Sequence, residues 1–117
     1  MDHHDENTRA QRTEKVRELN DRLRTTGIGG KLYITRAVAE LPPQLVASVV
    51  SAVRSFDAFT TANDPYGEHD FGSVTIDDAV FLWKIDCYDV NLECGSPDPA
   101  DDTITCRILT IMTAADW

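Results

Sequence analysis

Residue types able to do chemistry fall in two places in this sequence. The first is the run Asn63-Asp64-Pro65-Tyr66-Gly67-Glu68-His69-Asp70-Phe71-Gly72, which holds the only histidine beyond the N-terminal His3 and His4. Glu68, His69 and Asp70 offer an acid, a base and possible metal donors in three consecutive positions. Neighbouring side chains on an extended strand point to opposite faces. Glu68 with Asp70, or His69 alone, would therefore serve one site. The competing reading is a turn, because Asp, Asn, Pro and Gly are what turns require. The second place is made by strands. Lys84 and Asp86 share the less apolar side of one predicted strand, and Arg107 is assigned to the less apolar side of another. If those strands are neighbours, the three charges meet across a sheet, as an exposed ion pair or as a recognition site.

Known catalytic signatures are missing. The chain has no GxSxG, no HExxH, no phosphate-binding glycine loop and no CxxC pair. Cys87, Cys94 and Cys106 make an odd number at spacings of seven and twelve, so a disulfide framework is not indicated. Cys87 and Cys106 fall within strand patterns and are expected to be small buried thiols. His69 has no second His or Cys close by in sequence, so it is expected not to ligate a metal. No metal or cofactor is expected.

The elements that would position these groups follow from hydrophobic period. Residues 1–6 are polar and expected to fray. Val16, Leu19 and Leu23 give Thr8–Thr25 a narrow apolar stripe, with Asn7 or Thr8 as cap and Gly27 as stop. Lys31–Thr35 reads as a strand with Leu32 and Ile34 on one face. Pro43–Phe56 carries Leu45, Val46, Val49, Val50, Val53 and Phe56 at helical period and is the helix expected to be buried. Phe71–Ile76, Val80–Cys87 and Thr103–Met112 read as strands, with Asp77-Asp78 as a turn and Tyr88–Asp102 as a polar loop. The fold class is α+β, of order α-β-α-β-β-β. An antiparallel sheet is covered on one face by helix, in a single domain spanning 1–117. The edge that the first strand joins is left open.

Charge narrows the function. The 117 residues carry a net charge of −9, unevenly placed. Residues 1–25 sum to zero. Residues 56–117 hold thirteen acidic residues against Lys84 and Arg107, a net of −11. Such a surface repels nucleic acid and anionic membrane and attracts a basic protein surface. With no apolar run of membrane-spanning length and no basic-then-apolar leader, the chain is expected to be cytoplasmic.

The run 63–72, Trp83-Lys84-Ile85-Asp86, Gly95-Ser96-Pro97-Asp98-Pro99-Ala100-Asp101, and Arg107-Ile108-Leu109-Thr110-Ile111-Met112 come in a distinctive order, with Leu19-Asn20-Asp21-Arg22-Leu23-Arg24 before them. Together they resemble the bacterial family of unknown function DUF3768, whose members occur largely on plasmids, phages and integrated elements of proteobacteria. The resemblance implies a setting and no activity. By analogy, small acidic proteins of mobile elements block host defence complexes at their nucleic-acid-binding surfaces. The leading expectation is thus a non-enzymatic interaction protein, an anti-CRISPR or anti-restriction inhibitor in its most concrete form. Its expected contact residues are Asp64, Tyr66, Glu68, His69, Asp70, Lys84, Asp86, Asp98, Asp101, Asp102 and Arg107. One alternative is a small hydrolase or nuclease-like enzyme using Glu68, His69, Asp70 and Asp86, with Lys84 stabilising charge. Another is a regulatory homodimer paired through helix Thr8–Thr25.

Overall fold

A computed structural model describes residues 3–117. Its long first helix, α1 (His3–Thr26), is followed by β1 (Lys31–Ile34), a single-turn helix α2 (Arg36–Ala39) and α3 (Pro43–Ser55). The strands β2 (Phe71–Ile76), β3 (Ala79–Tyr88) and β4 (Cys106–Thr113) complete the sheet. Short 3-10 turns at Asp102–Ile104 and Ala114–Asp116 flank β4. The helix already runs through residues 3–6, where fraying was expected; residues 1–2 lie outside the described residues.

The α+β class holds, and the sheet is mixed. Its order is β1-β4-β3-β2, with β4-β3-β2 antiparallel and β1 parallel to β4. The connection through α3 is a crossover: it carries the chain from one edge of the sheet to the other, and β3 and β4 return into the gap. That is why β1 could not be placed from its own four residues. The β2–β3 hairpin turns at Asp77 and Asp78, both in the left-handed region (φ 49° and 67°). Such a two-residue turn matches the sheet's twist, and aspartate tolerates it.

One face of the sheet carries Phe81, Trp83, Ile85, Leu109 and Ile111, and they bury against Leu23 of α1, Val38 of α2, and Val49 and Val53 of α3. All three helices therefore lie on this face. Gly72 stands opposite Trp83, and a Cβ there would lie 2.5 Å from the indole Nε1. The glycine is what gives the indole room. Strand β4 begins at Cys106, later than the expected Thr103. Asp101 accepts from the backbone N–H and the hydroxyl of Thr103 and winds residues 102–104 into a 3-10 turn. Cys87 and Cys106 are half-buried and Cys94 is exposed, so none of the three is a fully buried thiol. No helix among the described residues is long and apolar enough to cross a membrane.

Candidate functional site

The inner face of α1 explains the site. Val16, Leu19, Asn20, Leu23 and Arg24 are all buried, so two polar residues sit within the apolar stripe. A buried polar group must find partners. Asn20 finds them in the two polar loops: its amide donates to the Glu68 carbonyl at 3.0 Å, and its Oδ1 accepts from Arg107 Nε at 2.8 Å. Arg107 also donates to Asp102 Oδ1 at 3.2 Å and to the Pro99 carbonyl. Arg24 donates from Nη1 to the carbonyls of Val53, Arg54 and Phe56, the free C-terminal end of α3. A cation there also meets the negative end of the helix dipole.

Further out along α1 the clamps are ionic. Arg12 pairs with Asp98 at 2.7 Å and Arg22 with Asp102 at 3.2 Å, while Arg17 donates to the Gly67 carbonyl at 3.0 Å. The acidic loops 64–70 and 98–102 are thus gathered under one helix, which answers part of their charge.

His69 is the centre of the first loop. Its backbone is in the left-handed region (φ 54°), held there as its N–H donates to Asp64 Oδ1 at 3.2 Å. Its ring stacks on Phe59, with centroids 3.6 Å apart and planes 3° from parallel. Nδ1 lies 2.8 Å from Asp21 Oδ1, and since a carboxylate only accepts, Nδ1 is the donor. Nε2 faces Asp64 Oδ2 at 3.5 Å. Both ring nitrogens are therefore directed at carboxylates of the chain itself. Among the described residues no group of three His, Cys, Asp or Glu could hold a metal ion.

Glu68 and Asp70 flank this histidine. Burial, then the nearby Asp70 and Asp64, push the Glu68 carboxyl above its ordinary range. Burial, then Asp64 and Asp86, do the same to Asp70 against a lowering backbone hydrogen bond and His69. Burial also pushes the Cys87 thiol up, which keeps it protonated and unreactive. Tyr66 differs from all of these. It is 80% exposed and stands at a groove of about 290 Å³ shared with Arg9, Arg12, Val16, Glu68, Asp98 and Pro99.

The eleven expected contact residues thus separate into sets. Asp64, Tyr66, Glu68, His69 and Asp70 share one loop, and the groove brings Tyr66 and Glu68 beside Asp98. Asp101 and Asp102 shape the turn before β4. Lys84 and Asp86 pair at 3.0 Å on the other face of the sheet. Arg107 does not join them. Register sets it opposite Cys87, on the helix-covered face, where it is buried. Its strand side looked the less apolar only because α1's contribution is invisible in β4's own residues. Asp102 is likewise a structural partner of a buried cation rather than a free surface charge. Sequence reasoning missed Asn20, Asp21, Arg24 and Phe59. The detectable signal was Asn20 and Arg24 recurring at the stripe positions of Val16, Leu19 and Leu23.

No curated protein and no solved structure gives a significant match to this chain. A family model described as "Protein of unknown function (DUF3768)" matches residues 34–116, from the end of β1 to the turn after β4, and the chain belongs to that family.

Proposed function

We propose that this chain is a non-enzymatic cytoplasmic binding protein that seats a basic protein surface on the loops 64–70 and 98–102. The observation that carries the reading is Tyr66, an exposed aromatic at a groove that the two acidic loops share with Arg9 and Arg12 of α1. Buried aromatic anchors ringed by polar residues are the usual centres of binding energy. The net of −11 over residues 56–117 supplies the field that draws a basic partner. In its most concrete form, the partner is the nucleic-acid-binding surface of a host restriction or CRISPR-type complex, and the chain is a mobile-element inhibitor. Catalysis by Glu68, His69 and Asp70 has less support. A general base needs a free nitrogen within reach of substrate, and both nitrogens of His69 face carboxylates.

Affinity capture from bacterial lysate identifies the partner, and surface plasmon resonance then reads the rates. Tyr66→Ala should leave the circular dichroism unchanged and speed dissociation roughly 30-fold, the equivalent of about 2 kcal/mol. If the folded variant releases its partner at the wild-type rate, the anchor is misassigned and the reading fails.

A further inference from the structure

The second face of the sheet has no α-helix over it, although Ile108 and Met112 on it are buried within the single chain. Its central row runs Tyr33, Thr110, Lys84, Phe71 across β1, β4, β3 and β2, with Leu82 paired to Met112 beside it. Trp117 reaches back over the face to Phe71, ring centroids 5.1 Å apart. At the β1 end a depression of about 360 Å³ is lined by Tyr33, Tyr88, Leu92, Ile108 and Thr110. Of the large hydrophobic side chains left exposed, Tyr33 (49%), Val80 (45%), Leu92 (47%) and Trp117 (71%) border this one face. An antiparallel sheet exposed to water normally alternates to polar residues on the wet side. This one does so only at Ser73, Thr75 and Thr110 and at the charged strand positions.

We propose that this face seats a second copy of the same chain, packed sheet to sheet about a two-fold axis. Charge selects that occupant. Two molecules of charge −9 repel over most of their surfaces. At the strand positions of this face the charged residues are Lys31, Lys84 and Asp86, so the centre of the face lacks the chain's negative excess, and Asp89, Glu93 and Asp116 are confined to its rim. Lys84 and Asp86, 3.0 Å apart, form a pair that complements its own image. A two-fold contact needs such self-complementarity, since each residue meets the image of its neighbour. A basic partner, by contrast, is drawn to the loops 64–70 and 98–102, which α1 gathers on the opposite side of the sheet.

The contact is small. Strands spaced about 4.8 Å apart and rising about 3.3 Å per residue give a flat footprint of roughly 500 Å². Ile108 and Met112 within it are already buried in the single chain, so the contact rests on Tyr33, Val80, Leu92 and Trp117 and falls below the ~800 Å² that each partner buries in a standard interface, which makes the association a weak one. The resulting dimer turns both Tyr66 grooves outward and leaves two equivalent seats for partner.

Sedimentation equilibrium of the full untagged chain tests this. The mass should rise from 13.0 kDa toward twice that value across micromolar to submillimolar concentration. Tyr33→Glu and Val80→Glu, both at exposed positions, should each weaken association at least about tenfold with the circular dichroism unchanged. Lys84→Glu should weaken it, and the exchange Lys84→Asp with Asp86→Lys should restore it. As a readout free of substitution, the methyl resonances of Val80, Leu82 and Leu92 should shift with concentration. A mass fixed at 13.0 kDa with unmoving methyls overturns the proposal. So does association that survives both glutamate variants, or that is abolished instead by reversing Glu14 and Lys15 on the outer face of α1. The Tyr66→Ala rates do not depend on any of these outcomes, so the two readings fail separately.

Discussion

Asn20 is the residue on which the two polar loops depend. It satisfies a buried guanidinium on one side and a half-buried loop carbonyl on the other. Asn20→Ala should cost about 2 kcal/mol, because it strands a buried guanidinium rather than merely deleting a bond. For a chain of this size that lowers Tm by about 8 °C in differential scanning calorimetry. A change within 1 °C would mean that the loops hold without it. Glu68 and Asp70 act in the opposite sense. Their native carboxyls titrate above the unfolded ones, so the native state binds protons more tightly and is destabilised once both groups ionise. This penalty is absent below the unfolded values near pH 4 and is complete above the raised native values. Asp101 and Asp116 have lowered values, chiefly through hydrogen bonds from the side chains of Thr103 and Thr35, and add stability that is lost as pH falls through them. Glu68→Gln with Asp70→Asn should therefore stabilise the protein at pH 7 and leave it unchanged at pH 3. Urea midpoints measured across that range check the sign, and a destabilised double variant at pH 7 would refute it.

At the scale of elements, the strands and α3 were legible because each carries its own period. Val49 and Val53 one turn apart, and Phe81, Trp83 and Ile85 alternating, state their burial without reference to anything else. The elements that depend on distant residues were not legible. The partner of β1 is set by a crossover that no residue of β1 encodes. The face of β4 that holds Arg107 becomes a core face only once α1 lies across it. The first helix reads as polar for its length, yet it supplies Leu19, Leu23, Asn20 and Arg24 to the interior. It also precedes the stretch matched by the family model. A chain beginning at residue 30 should consequently fail to fold. It would expose Trp83 and the Val49–Val53 stripe and leave Arg107 without its Asn20 acceptor. That loss exceeds the 5–15 kcal/mol or so by which domains are stable. Thermal melts followed by near-ultraviolet circular dichroism should show no cooperative transition; a sharp one would show α1 to be dispensable.

At the scale of the whole molecule, charge is sorted by sequence and then partly recombined by folding. The basic residues of the chain are concentrated in α1, and a basic helix is the feature that nucleic-acid binding would need. Here four of those side chains are engaged within the chain, while Arg9 and Lys15, like the paired Arg12 and Arg22, stay exposed. Arg12 and Arg22 are paired with Asp98 and Asp102, Arg17 is bonded to the Gly67 carbonyl, and Arg24 is buried against the end of α3. Phosphate binding would have to break these contacts and bring the polyanion toward a region of net −11. Affinity for nucleic acid rests on cations that displace counterions, and four of the six basic residues of α1 already serve the chain's own acceptors. Fluorescence anisotropy with labelled duplex and single-stranded DNA should stay flat at physiological salt up to the highest protein concentration reached. Arg12→Glu should change nothing in that assay, because Arg12 already answers Asp98. Micromolar binding that weakens with added salt would show that the α1 arginines leave their loops for phosphate. The acidic loops would then be an intramolecular guard over a nucleic-acid site, and the basic-protein reading would fall with this prediction.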